Sequence, residues 1–123
     1  MDERVLKRVV IDPGHGGSDP GTIANDIIEK DYTLKISEYI KKRLDEMGIS
    51  NSITRNSDIT LDAKNRTNKI KSFYGNGNDV IVVSNHINAG GGDGSCRKLT
   101  FFEKLRKIFH KKKIKYLFVL YLI

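Results

Sequence analysis

Apolar positions along the first ninety residues follow two alternating periods. Arg4 to Asp12 is a valine-rich, β-branched stretch that stops at Pro13, Gly14, Gly16 and Gly17, so it reads as a strand feeding a glycine loop. Asp31 to Met47 places Ile36, Ile40, Leu44 and Met47 at helical spacing among charged residues, and Gly48 stands where a helix C′ glycine would stand. Ile49 to Arg55 is short and partly β-branched, a second strand weakened by Asn51 and Ser52. Thr60 is placed to cap a second helix running to about Phe73, closed by Gly75, Asn76 and Gly77. Val80 to Ser84 is a continuous apolar run of the buried-strand type.

The order strand, helix, strand, helix, strand predicts an open three-layer α/β/α sheet, mostly parallel, with right-handed crossovers. Such sheets gather ligands beyond the carboxyl ends of their strands. His15 comes three residues after the first strand and His86 two residues after the third, which puts both at that edge.

Length and composition change this picture little. A chain of 123 residues with 38% hydrophobic and 30% charged positions suits one folded domain, and no apolar run is long enough to span a bilayer as a helix. The net charge of +7 is unevenly placed: from Ser95 onward it is +8, while the rest sums to −1. That distribution, with no recognition fold in the pattern, argues against nucleic acid as a partner. One cysteine, Cys96, excludes a disulfide framework and a multi-cysteine metal site. The opening MDERVLKRVVID has no apolar segment of signal-peptide kind, so an export route is not visible and the location is left unknown.

A metal at the sheet edge would therefore need histidine and carboxylate. Zinc accepts both, and a catalytic zinc keeps three protein ligands with one position for water. His15, His86 and Glu29, which sits at the end of the glycine loop, would suffice; Asp12 and Asp19 are competing carboxylates in the same loop. Ordinary roles exist for each: Asp12 as a loop cap and Glu29 as a favourable charge at a helix N-terminus. The glycine loop matches neither GxGxxG nor a Walker A lysine motif.

Four motifs stand in one order: IDPGHGGSDPG at Ile11 to Gly21, EKD at Glu29 to Asp31, TR at Thr54 and Arg55, and SNHINA at Ser84 to Ala89. Together they resemble the zinc-dependent N-acetylmuramoyl-L-alanine amidases of bacteria, their spores and their phages, over about Val9 to Gly94. The resemblance implies that Zn2+ is held by His15, Glu29 and His86, and that the substrate is peptidoglycan, cut between N-acetylmuramic acid and the L-alanine of the stem peptide. It also implies zinc-activated water as nucleophile and a second glutamate, late in the chain, as general acid and base. Arg55 and Arg66 match positions where the family tends to carry arginine; surface charge is the role expected for them here.

The likeness of motif stops at Gly94. Residues 1–94 read as the N-terminal portion of an amidase catalytic domain, and 95–123 as a basic and apolar tail of aberrant origin, with the C-terminal part of the family fold missing or replaced. Glu103, the tail's one acid, lies in no matching motif, so the general acid is unassigned; His110 reads as solvated. The alternative is a non-catalytic protein that docks on an anionic membrane or wall polymer through Lys111 to Lys115 and the apolar run Tyr116 to Ile123.

Overall fold

The structure, a computed structural model, describes residues 7–88 and 115–122. Strand β1 (Arg8–Pro13) is followed by a two-stranded hairpin, β2 (Ile23–Ala24) and β3 (Ile27–Ile28), then helix α1 (Glu29–Glu46) and β4 (Asn51–Ile53). Helix α2 (Ala63–Tyr74), β5 (Val80–Asn88) and β6 (Lys115–Leu122) complete the order among the described residues. The main sheet runs β4-β1-β5-β6 with every pair parallel.

Chain direction across this sheet reverses once. From β1 the chain passes through α1 to β4 on one side, then through α2 back past β1 to β5 on the other, so β1 and β5 flank the switch point. The helices take opposite faces. Val80 and Val82 of β5, with Val10 of β1, pack on Ile70, Phe73 and Tyr74 of α2. Asn85, of the other parity, donates from Nδ2 to the Thr33 carbonyl (3.1 Å) and to Ser37 Oγ (3.3 Å) of α1. This is the three-layer α/β/α arrangement read from the alternation.

Helix α1 buries a row different from the one its apolar spacing suggested. Ile36, Ile40 and Leu44 are half-buried and Met47 is exposed, whereas Glu29, Thr33 and Ser37 are buried. Small hydroxyl side chains on this row leave room for Asn85 to reach the helix. The helix ends in a Schellman motif, with Ile49 N–H on the Leu44 carbonyl, Gly48 N–H on the Asp45 carbonyl, and Gly48 at φ 68°.

Caps and strand limits differ from the sequence reading. Asp62, not Thr60, caps α2, its Oδ1 accepting from Asn65 N–H at 2.8 Å; Thr60 Oγ1 is engaged by Ser18 N–H of the glycine loop at 2.9 Å. Strand β5 continues to Asn88 and so contains His86, because partners on both sides extend it: Asn85 pairs with Pro13 and Asn88 with Leu122. The apolar run after Lys115, which the sequence assigned to no element, forms β6 beside β5. The rest of the tail, with Cys96, Glu103, His110 and Lys111 to Lys113, lies outside the described residues, as do residues 4–6 of the expected first strand.

Candidate metal centre

Beyond Pro13 the backbone turns sharply. His15 takes φ 60°, a left-handed conformation uncommon for a side-chain-bearing residue, and its ring lies edge-on to that of His86, centroids 4.9 Å apart. Glu29 enters this space as the first residue of α1. Tight turning at Asn25 and Asp26 (φ 51° and 61°) folds β2 onto β3 and brings Thr22 beside it. Thr22 N–H donates to Glu29 Oε2 at 2.7 Å and Ile87 N–H to Glu29 Oε1 at 2.9 Å, so both carboxylate oxygens are fixed by backbone.

Three ligand atoms converge as a result. His15 Nε2 lies 3.0 Å from Glu29 Oε1, His86 Nδ1 lies 3.1 Å from the same oxygen, and the two nitrogens are 3.2 Å apart. Among the described residues these three form a group able to hold a metal ion. The carboxylates left competing by the sequence take other positions. Asp19 accepts from His15 at Nδ1, the far side of the ring, at 2.8 Å. Asp12 is buried beneath the loop, its oxygens accepting from Arg66 Nη1 (2.7 Å), Thr54 Oγ1 (2.7 Å) and Ser84 Oγ (3.2 Å).

The electrostatics follow from this packing. Burial works to raise the Glu29 pKa, but hydrogen bonds from both histidines and from Thr22 overcome it and hold the carboxyl well below the usual range. Burial depresses His86, and this outweighs the pull of Glu29, so its ring is kept neutral. Burial acts the same way on His15, yet its bonds to Glu29 and Asp19 prevail and its pKa is raised.

Arg55 and Arg66 are not surface charges. Each is almost wholly buried, at 1% and 4% exposure. Arg55 Nη2 donates to the carbonyls of Gly14 and Lys30, both at 2.8 Å; Arg66 donates to those of Pro13 (2.7 Å) and His15 (3.0 Å). The turn carrying His15 directs three successive carbonyls inward, and these guanidinium groups are their donors. Two glycines are equally constrained: a Cβ on Gly14 would lie 2.6 Å from His86 Nδ1, and one on Gly21 would lie 2.6 Å from the His15 ring and 2.8 Å from Glu29 Oε2.

The family model described as N-acetylmuramoyl-L-alanine amidase matches residues 9–116. The chain belongs to this family. The amidase match therefore runs past Gly94, where the motifs stop, to the first residues of β6. Among curated relatives, the probable cell wall amidase LytH of Staphylococcus aureus is 38% identical over 82 residues, which cover 64% of this chain and 28% of LytH. The chain thus spans under a third of the length of the curated amidases it matches. Among solved structures, the N-acetylmuramoyl-L-alanine amidase of Clostridium difficile 630 superposes with a TM-score of 0.62 at 29% identity, covering 71% of this chain and 46% of that one. The catalytic domain of the amidase CwlV from Bacillus (Paenibacillus) polymyxa gives 0.62 at 25% identity, covering 91% and 70%.

Sequence reasoning did not find the parts that hold these three side chains in place: the Asp19 bond, the two arginine clamps and the backbone donors of Thr22 and Ile87. An aspartate four residues after a loop histidine was the available signal for the first.

Proposed function

We propose that this chain is a peptidoglycan amidase centre, holding Zn2+ through His15, Glu29 and His86 and hydrolysing the bond between N-acetylmuramic acid and L-alanine. The observation that carries the reading is the convergence of His15 Nε2, Glu29 Oε1 and His86 Nδ1 to within 3.0–3.2 Å of one another. Tetrahedral ligand atoms 2.0–2.1 Å from a zinc ion stand about 3.3 Å apart, so small outward shifts of these side chains would accommodate it. Two imidazoles and one carboxylate are also a donor set of the catalytic zinc kind.

When bound, the metal would polarise the scissile carbonyl and lower the pKa of water. The chain's own residues supply the rest of the arrangement. Glu29 is fixed by the N–H groups of Thr22 and Ile87 and stays ionised; His86 is kept neutral by burial. The proton for the leaving amine is assigned to no described residue. A wall- or membrane-binding role through the basic tail has no support among the described residues, since 95–114 lie outside them.

Elemental analysis of purified protein, paired with release of stem peptide from cell wall, tests the reading on the native chain and on His86→Ala. The expected outcome is about one zinc per chain, lost in the variant, with free stem peptide from the native chain alone. A folded native chain that takes up no zinc would overturn the ligand assignment. Zinc without turnover would keep the metal centre and remove the amidase activity from this chain.

A further inference from the structure

Asp19 stands apart from the three ligand atoms, yet its position is closely defined. Its backbone N–H and carbonyl both bond Gly16 (3.1 and 2.9 Å), and its Oδ1 accepts from Gly21 N–H at 3.1 Å. The other oxygen, Oδ2, is thereby aimed at His15 Nδ1, 2.8 Å away. Its side chain is 59% exposed, unlike that of Glu29 at 0%. An exposed carboxylate held by backbone on one oxygen and by an imidazole on the other contributes little to the core, and its effect falls on the ring it touches.

A neutral imidazole carries its proton on one nitrogen and its lone pair on the other. Both ring nitrogens of His15 face a carboxylate, Asp19 at Nδ1 and Glu29 at Nε2 (3.0 Å); a cation held by the three ligand atoms would take the place of a proton on Nε2, and Asp19, which can only accept, then keeps the remaining proton on Nδ1. We propose that Asp19 is the positioning residue of this centre, selecting the Nδ1–H tautomer of His15 and thereby making Nε2 a metal donor. The inference rests on the metal reading above. Gly21 is linked to the same function: a side chain there would strike His15 and Glu29 together, so only glycine lets the Asp19-anchored turn close over both.

Asp19→Asn and Asp19→Ala separate this role from loop architecture. The amide can still accept from Gly21, but its NH2 group then faces Nδ1 and forces the His15 proton onto Nε2. Zinc affinity, measured by competition with a chromophoric chelator, is expected to fall roughly 10–100-fold in both variants. Circular dichroism and thermal midpoint of the metal-free proteins should stay at native values. Long-range 15N–1H NMR of the zinc-loaded protein should show a slowly exchanging His15 Nδ1–H in the native chain, lost to fast exchange with solvent in the variants.

Native zinc affinity with an unchanged His15 Nδ1–H signal in both variants would overturn the proposal and leave the Asp19 contact an ordinary surface pair. Failure of the native chain itself to bind zinc would instead overturn the metal reading.

Discussion

Strand β1 is held by different forces at its two ends. Near its start, Val10 packs with Val80, Val82 and Ile70, all apolar and buried. A few residues on, Asp12, Pro13, Gly14 and His15 are held by hydrogen bonds from Thr54, Arg55 and Arg66. The first region is defined by volume, which tolerates exchange of one hydrocarbon for another. The second is defined by donors matched to acceptors, where removing one partner strands the other in a low-dielectric interior. The difference explains how one strand can be a stable support and a precise mount. Packing fixes where β1 lies, and the arginine clamps fix where its last residues point.

The largest effect expected from breaking this contrast is at Arg66. Arg66→Met keeps the volume but leaves Asp12 without its ion-pair partner and two loop carbonyls with one donor fewer. A loss of about 3–5 kcal/mol in urea unfolding is expected, of the size seen when one member of a buried pair is removed. Zinc affinity should fall with it, because the His15 carbonyl is one of the groups released. Ile70→Ala is expected to cost about 2–5 kcal/mol by cavity formation, with zinc affinity of the remaining folded protein unchanged. Should Ile70→Ala weaken zinc as much as Arg66→Met does, the division between the two ends of β1 fails.

Much of the support was legible in the sequence because it follows local period. The helix after Glu29, its Gly48 stop and the buried run from Val80 appear close to where periodicity put them. Sheet order gave the histidines their common edge, since the loop after β1, with His15, and the C-terminal part of β5, with His86, lie side by side at the switch point. The mount was less legible. Arg55 and Arg66 looked like surface charge because arginine usually is, and nothing local says that the carbonyls of residues 13–15 turn inward. Asp12 and Asp19 could not be ranked by spacing: one ends a strand and points to α2, the other returns to Gly16 and points to His15. The β2–β3 hairpin was missed since two-residue strands have no period, although Asn25 and Asp26 carry its turn chemistry. Strand β6 showed only as an apolar run in the sequence, because its place in the sheet, parallel to β5 across 26 intervening residues, is a long-range matter.

The smallest effect sharpens the comparison through pH. Metal binding requires both imidazoles neutral, so protons compete with zinc wherever a histidine is charged in the metal-free chain. His15 has its pKa raised and His86 has its lowered, while Glu29 is ionised far below either. As pH falls through the raised His15 value, one proton must leave for each zinc bound, and log affinity should drop with a slope near one, about 1.4 kcal/mol per pH unit. A slope nearer two sets in only once pH reaches the lowered His86 value. Isothermal titration with zinc across that range, in buffers of differing ionisation enthalpy, counts the protons released. A slope of two beginning at a single pH would mean that the histidines titrate together, and that their different degrees of burial do not separate them. Ile70→Ala, which alters only the apolar end of β1, should reproduce the native profile.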